Sequence, residues 1–568
     1  MRQWMVAAKK ADFYAIAEKF HVDPVVARII RNREVIGEKN IRIYLGGNLS
    51  DLSDPHQMKD MDRLVEILAQ KIRKQVHIRI IGDYDVDGVT SSHLFLTALR
   101  RVGAKVDVVI PHRIQDGYGL SLHLLQQAKE DGVDTILTCD NGIAAIDEIA
   151  WAKAQKMTVL VTDHHAVPFE EHEGRRTEKK SLADAVVNPH QQDCRYPYKE
   201  LCGAGVAWNV IRVLYENYDM DKREAEDLLD FVAMATVCDV MSLTGENRIL
   251  VKEGLKRIRH TKNIGLQALM QACNVQPENI SAYHFGYVLG PCVNATGRLD
   301  TARHALRLFE TGQETEAEEI ARDLVDLNQE RKELTLQGVE MAKKLCEEGG
   351  YENDPVLVLF LPDVHESIAG LIAGRIREMY NRPVFVLTRG EEGVKGSGRS
   401  TENYSMYENM CGCAELFTKF GGHPMAAGLS LPEENVEKFR RKINENCPLT
   451  VEEVCPDIHI DMAMPVGYAS TELVHQFALL EPFGKDNPSP LFADRNLSIS
   501  RMWVIGKNRN VLRMSVLSEY GQPVPVIFFG DVETLFAYFT EKFGQEEVEN
   551  ALHGRKNRIL FSMVYTAK

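Results

Sequence analysis

Ile80-Ile81-Gly82-Asp83-Tyr84-Asp85-Val86-Asp87-Gly88-Val89 is the stretch on which the fold of this chain is decided. Asp83, Asp85 and Asp87 stand at alternate positions between an apolar run ending at Ile81 and an amphipathic run beginning at Val89. Like charges this close repel unless a cation neutralises them, and a divalent metal is the simplest such cation. A solvated acidic turn is the alternative, and residues further along the chain decide between the two.

Working outward, Val76 to Ile81 reads as a strand, Val89 to Val102 as a helix closed by Gly103, and Val106 to Ile110 as a second strand. A further unit runs from Thr135-Ile136-Leu137-Thr138-Cys139 into Asp140-Asn141-Gly142 and a helix reaching about Gln155. The next strand, Thr158 to Thr162, ends at Asp163-His164-His165. Strand, acid, polar turn and helix, repeated, predict an α/β fold with a parallel sheet and helices on both faces.

Ligands of open α/β sheets bind beyond the carboxyl ends of the strands. Asp85, Asp87, Asp140, His164 and His165 all fall at such ends and are expected to converge. Asp239 joins them as a candidate, because it leaves the apolar run Phe231–Cys238 and a carboxylate leaving a buried run needs a partner. Aspartates with one or two imidazoles suit Mn²⁺ or Mg²⁺ better than Zn²⁺. The set holds more carboxylates than one ion needs, so two divalent ions are expected, an arrangement that activates water for in-line attack on phosphorus. The adjacent His164 and His165 point differently, which lets one ligate while the other donates to a phosphoryl oxygen. The alternative for that pair is local hydrogen bonding.

Length and composition set outer limits. A chain of 568 residues predicts several domains. Apolar content of 44% and charged content of 26% are ordinary for globular protein. No apolar run approaches the roughly 18 to 20 residues that span a bilayer, and the start carries no signal-peptide pattern, so a cytoplasmic protein without a membrane partner is expected. The odd count of 11 cysteines argues against a fully paired secreted scaffold, and Cys411 with Cys413 lacks the second pair a structural zinc needs. A formal charge of -15 leaves room for a local basic groove.

Taken together, Asp83-Tyr84-Asp85-Val86-Asp87-Gly88, Asp140-Asn141-Gly142, Asp163-His164-His165 and Asp239 resemble the four successive motifs of the DHH phosphoesterases. Later segments make the chain similar to the RecJ family within them. These are Pro111-His112-Arg113 with Gly117-Tyr118-Gly119, Leu201 to Ala207, Gly290 to Leu299, Gly396-Ser397-Gly398-Arg399, Gly421 to Gly428 and Glu481 to Pro488. The resemblance runs from about residue 40 to the C-terminus. It implies a mostly helical segment 1–75, a DHH catalytic domain 76–310, a connecting helix 311–348, a smaller α/β DHH-associated domain 349–452 and an oligonucleotide-binding (OB) β-barrel 453–568.

The activity implied is that of a single-strand-specific 5′ to 3′ DNA exonuclease releasing 5′ mononucleotides in DNA repair and recombination. Asp85, Asp87, Asp140, His164 and Asp239 would hold two Mn²⁺ or Mg²⁺ ions. His165 would stabilise charge on the phosphoryl oxygens, Asp163 would orient a neighbouring ligand, and Asp83 would serve beside it. Arg113 and Arg298 would bind substrate phosphate through their planar guanidinium forks. Ser397 and Arg399 would hold a 5′ phosphate in a glycine-lined pocket, with His423 at the scissile region. Trp503, Lys507 and Arg509 give the C-terminal domain the basic, aromatic character that tracks a single strand by backbone contact and stacking. Single-stranded DNA is the expected partner, with a helicase and a single-strand-binding protein as further ones.

Two departures from the family pattern stand out. Ile81 occupies the place of a histidine found in many DHH enzymes, which predicts fewer protein ligands for one metal. Cys292 stands where related sequences often have arginine. The rival functions are a DHH phosphoesterase of short oligonucleotides or cyclic dinucleotides, and a non-catalytic single-strand-binding scaffold.

Overall fold

The alternation read from Val76 onward builds five parallel strands. The structure, a computed structural model, describes residues 4–113, 116–117, 119–172, 175–390, 393–454, 457–506, 509–518 and 521–568. Strand β1 (Ile78–Ile81) leads into helix α1 (Val86–Arg101), followed by β2 (Val106–Val109), β3 (Thr135–Cys139), β4 (Thr158–Thr162) and β5 (Ala185–Val187). Their order across the sheet is β2-β1-β3-β4-β5.

Alternate residues of these strands serve different cores, as the two-residue period of a strand requires. Ile78, Ile80, Leu137 and Leu160 pack with Val89, Leu96 and Leu99 of α1, whereas Ile81, Ile136, Val159 and Val161 pack with Leu124, Leu125 and Ile149 of the opposite helices. Both faces are therefore covered, and only the strand ends stay open to a ligand.

Helices then take over: α2 (Gly203–Asn217), α3 (Leu229–Cys238), α4 (Ile264–Ala272), α5 (Gly290–Leu299) and the 35-residue α6 (Glu314–Glu348). The run before Asp239 is thus a helix, and its carboxylate arrives from a helix C-terminus. Beyond α6 a second sheet of order β9-β10-β8-β7-β6 forms from β6 (Leu357–Phe360), β7 (Val384–Gly390), β8 (Gly393–Arg399), β9 (Lys419–His423) and β10 (Ala426–Leu431). Helix α7 (Glu366–Tyr380) follows β6 and packs Ile368, Ile372 and Ile376 against Leu357 and Leu359.

Buried in the first core, His93 of α1 lies 4.4 Å from the Phe231 ring and 5.8 Å from the Phe309 ring, and its Nδ1 makes no hydrogen bond. Burial, with some help from the Arg100 charge, holds its pKa down at about 3. The unfolded chain titrates this group near 6.5, so between about pH 6.5 and 3 the unfolded state binds the extra proton and stability falls as pH falls. Replacing the imidazole should remove this cost of about 2 kcal/mol at pH 5. Urea unfolding of His93→Phe at pH 7 and pH 5 should therefore show a smaller acid loss than the parent chain. Identical pH dependence in the two would refute this account of His93.

Contacts divide the chain into two compact units, Gly47–Pro456 with Pro482–Asn487, and Met1–Gly46 with Asp457–Glu481 and Pro488–Lys568. In the second unit, Trp4–Val6 pairs in parallel with Ile458–Ile460, and helices Phe13–Phe20, Pro24–Asn32 and Glu38–Gly46 follow. Asp12 and Asp23 cap the first two through their carboxylates. A buried two-pronged ion pair joins Arg33 to Asp461, with Nη1–Oδ1 at 2.7 Å and Nη2–Oδ2 at 3.0 Å.

The same unit carries a curved, open antiparallel sheet of β11 (Phe492–Ile505), β12 (Val511–Leu517), β13 (Pro523–Phe529) and β14 (Leu560–Tyr565). β11 pairs with β12 along one edge and with β14 along the other, and its register shifts after Ile499 and after Asp494. Such irregularities let one long strand bend between two sides of a barrel. This half-barrel is of OB type. Two helices, Val532–Phe543 and Gln545–Leu552, lie between β13 and β14. Among the described residues no helix is long and apolar enough to cross a membrane.

Candidate metal centre and phosphate cavity

Asp85 serves as the N-cap of α1, accepting from Gly88 N at 3.0 Å, so the first turn of that helix fixes its carboxylate. Asp87, two residues on in that same first turn, accepts from the N-terminus of α2 through Gly203 N at 2.6 Å and Ala204 N at 2.7 Å. Those amides carry the positive end of the helix dipole and hold both carboxylate oxygens in place. Asp140 follows β3 in a left-handed conformation with φ 61°. Its neighbour Asn141 donates Nδ2 to Ile81 O at 3.0 Å and to Cys139 O at 2.9 Å, tying the ends of β1 and β3 together.

Asp163 accepts from Ile143 N (2.9 Å), His164 N (2.7 Å), His165 N (3.0 Å) and His165 Nδ1 (2.7 Å). Four donors on one carboxylate hold both histidines in place. His164 then aims Nε2 at three carboxylates: Asp140 Oδ1 at 3.1 Å, Asp239 Oδ2 at 3.6 Å and Asp87 Oδ2 at 3.7 Å.

Residues spread from Asp83 to Asp239 thus meet in three overlapping groups, each with its ligand atoms within 4.8 Å: Asp140, His164 and His165; Asp87, His164 and Asp239; and Asp83, Asp85 and Asp140. All five expected ligands are brought together. Asp83 and His165, expected beside the ligands, stand within the groups themselves. Ile81 is buried in the apolar core beneath them and offers no ligand.

Electrostatics shows what this crowd needs. Burial raises the pKa values of Asp83, Asp85, Asp140 and Asp239, and neighbouring carboxylates raise them further. Burial lowers that of His164, which favours the neutral ring. For His165, burial acts downward but is outweighed by the hydrogen bond to Asp163 and the surrounding carboxylates, which carry it up to about 9. Asp163 is held low by His165, His164 and the Ile143 amide against the upward push of burial.

The residues fit divalent metal. A neutral His164 Nε2 facing carboxylate oxygens without a hydrogen bond, and a buried Asp83 Oδ1 also lacking one, are the atoms a cation would engage. Asp239 adds a negative charge at the C-terminus of α3, where the helix dipole disfavours it and a cation would offset the cost.

Beside these carboxylates lies a cavity of about 510 Å³ whose lining includes Tyr84, Arg113, Ser367, Lys395, Ser397 and Lys419. Arg113 stacks 4.9 Å above the Tyr84 ring. Arg298 donates Nη1 to Ser367 O at 2.7 Å. Burial and the charges of Arg113, Arg331 and Arg399 bring its pKa down to about 10. Burial likewise lowers that of Arg399, followed by the charges of Arg377 and Arg113. Mutual depression among guanidinium groups marks a site built for an anion.

His423 ends the edge strand β9, is exposed, and lies outside the cavity lining. Trp503 is half-buried between Arg501 at 5.0 Å and Arg513 at 5.9 Å, and Arg509 is exposed in a left-handed turn. Lys507 and Tyr118 fall outside the described residues. Sequence reasoning missed Lys395, Lys419 and Lys485. Lys395 lies one residue from the quoted Gly396, and Lys485, whose charge acts on Asp239, sits inside the quoted segment Glu481 to Pro488.

Comparison with known proteins agrees with this architecture. Residues 77–236 match the N-terminal domain of the DHH family, residues 353–447 the DHHA1 domain and residues 460–563 the RecJ OB domain. The chain is 33% identical over 512 residues to the single-stranded-DNA-specific exonuclease RecJ of Bacillus subtilis, covering 89% of this chain and 63% of that one. Against the Haemophilus influenzae protein of the same name it is 34% identical over 518 residues, covering 88% of each. The crystal structure of RecJ in complex with Mn²⁺ from Thermus thermophilus matches 100% of this chain and 79% of its own, with a TM-score of 0.77 at 26% identity. With its three family domains in order and a third of its residues shared across most of its length, the chain belongs to the RecJ family of DHH phosphoesterases.

Proposed function

We propose that the chain is a metal-dependent exonuclease of single-stranded DNA, acting from the 5′ end, releasing 5′ mononucleotides and working in the cytoplasm. The observation that carries this reading is the adjacency of the carboxylate and imidazole cluster to a cavity lined by Tyr84, Arg113, Lys395 and Lys419. Asp83, Asp85, Asp87, Asp140, His164 and Asp239 would hold two Mn²⁺ or Mg²⁺ ions, the metals named for the Thermus thermophilus relatives. Ions bound there would polarise the scissile phosphate and supply hydroxide at neutral pH.

The protein groups do the rest. Asp163 fixes the direction of His165, whose ring would stand against the phosphoryl oxygens. Ser397 and Arg399 would take the 5′ phosphate and so set the reading direction, with Arg113 and Arg298 on substrate phosphate. His423 is assigned to the scissile region on family grounds. Trp503, Arg509 and Lys507 of the C-terminal domain would engage the strand further along, and the match of residues 460–563 to the RecJ OB domain favours this over enzymes of short oligonucleotides. A helicase and a single-strand-binding protein are proposed as further partners, and the five-part division into 1–75, 76–310, 311–348, 349–452 and 453–568 is kept as the working domain plan.

Digestion of end-labelled single strands with Mn²⁺ or Mg²⁺ tests the reading. A 5′ label should appear at once as mononucleotide while a 3′-labelled strand shortens progressively; the reverse order, or equal cutting of duplex, would overturn it. Arg399→Ala should reduce the preference for a 5′ phosphate over a 5′ hydroxyl by roughly tenfold to a hundredfold, the worth of a hydrogen bond to a charged group. An unchanged preference, measured with both substrates, would remove Arg399 from the pocket.

A further inference from the structure

We infer that Cys273 and Cys292 form a reversible disulfide that slows the enzyme, making the contact between α4 and α5 a redox modification site. Cys273 caps the C-terminus of α4 and Cys292 lies in the first turn of α5, with their sulfurs 3.7 Å apart. A disulfide needs about 2.0 Å between sulfurs, so closure asks for a rotation of the Cys273 side chain at the end of α4 and a small approach of the two helices. Cys273 is half-exposed, whereas Cys292 is buried. An oxidant therefore meets Cys273 first and finds the second thiol already in contact.

The surroundings sort the two sulfurs into different roles. The hydrogen bond with Cys292 lowers the Cys273 pKa against an upward push from burial, and the Lys332 ammonium lowers it further. Cys292 is shifted the other way, first by the same hydrogen bond and then by burial. With a low-molecular-weight disulfide as oxidant, the Cys273 thiolate attacks one of its sulfurs and expels a thiolate, leaving a mixed disulfide. Cys292 passes its proton to that thiolate, attacks Cys273 Sγ and expels the second thiol. Two protein thiols lose two electrons and two protons, and the small disulfide gains them as two thiols.

Two routes carry the change to the reacting centre. On α5, Asn294 Oδ1 accepts from Val86 N at 3.1 Å, between Asp85 and Asp87. Gly297 lies so close to the same loop that a Cβ there would sit 2.4 Å from Tyr84 O. On α6, Asn328 Nδ2 donates to Cys292 Sγ at 3.4 Å while its Oδ1 accepts from Arg331 Nε at 3.1 Å, and Arg331 acts electrostatically on Arg298. Drawing Cys292 toward Cys273 pulls on both.

The test treats the full chain with oxidised glutathione, blocks remaining thiols and digests with trypsin. Residues 263–298 contain both cysteines and no Lys or Arg before Arg298, so one peptide reports the bond by carrying no blocking group and weighing two hydrogens less than its free-dithiol form. Mn²⁺-dependent release from a single strand should fall about tenfold, the scale expected when catalytic groups shift by a fraction of an ångström, and recover with dithiothreitol. Cys273→Ser should keep the basal rate and lose the response, whereas Cys411→Ser, which removes an exposed thiol, should keep both. The inference is overturned by a peptide of unchanged mass, by a lightened peptide with an unchanged rate, or by a Cys273→Ser variant as sensitive as the parent. Only the rate arm rests on the proposed nuclease reading: a chain inactive before oxidation would count against that reading, while the peptide mass alone would still decide the disulfide.

Discussion

Asp140→Asn should lower nucleotide release from a single strand by about 10³-fold or more, the kinetic equivalent of losing several kcal/mol of metal-borne stabilisation. Asparagine is the informative replacement because Asp140 sits at φ 61°, a conformation that asparagine adopts more readily than alanine. Shape and backbone stay, and only the charge goes. Asp140 belongs to two of the three ligand groups, so both proposed ion positions lose a contact at once. Binding of a labelled single strand should change little, since Arg113, Arg298 and Arg399 remain.

A second readout separates lost metal from lost fold. Burial and then the charges of Asp87, Asp85 and Asp239 already work against an ionised Asp140, so the metal-free variant should unfold at a higher temperature than the metal-free parent. Added Mn²⁺ should raise the midpoint of the parent much more than that of the variant. Manganese-dependent release within tenfold of the parent would sink the ligand assignment.

Gly88→Ala should be nearly as damaging, by roughly 10²-fold in rate, although it removes no functional group. A Cβ at this position would lie 2.4 Å from Asp83 O and 2.5 Å from Asp83 N. Both are backbone atoms of the loop that carries the three aspartates, so neither can swing aside as a side chain would. Either the loop or the first turn of α1 must move, at a cost of about 1 to 3 kcal/mol in stability. Gly374→Ala is the matched control: it lies inside helix α7 with nothing within 4 Å of the added carbon, and should stabilise by about 1 kcal/mol. Rates and urea midpoints of the two variants, measured side by side, decide the matter. Equal activity in both would show that the loop yields.

These two positions also show how far the sequence could be read. The aspartate motif, the strand-end acids and the paired histidines were legible because each is a local pattern, and one topological rule converts strand ends into a common site. Asp239 was harder: the largely apolar run Phe231–Cys238 ahead of it suits a buried helix as well as a buried strand, and only the fold makes it the end of α3. Lys395 and Lys419 were invisible as ligands of the cavity because their places depend on β8 and β9 meeting elements of another domain. Asp83 looked like an outlier in its own motif until its carboxylate was found grouped with Asp85 and Asp140. The close approach of Cys273 to Cys292 could not be anticipated either, since it depends on how α4 and α5 pack.

The parallel pairing of Trp4–Val6 with Ile458–Ile460, and the ion pair from Arg33 to Asp461, set a timetable for synthesis. Helices Phe13–Phe20 to Glu38–Gly46 leave the ribosome well before the partners that cover them, which belong to segments beginning at Asp457. At roughly 5 to 20 residues per second, they wait about 20 to 80 s with their apolar faces uncovered. Gly47–Pro456, all of the other unit except Pro482–Asn487, is made during that interval. These helices are therefore folded well after they are made, and in that interval their uncovered apolar faces are a site for a chaperone.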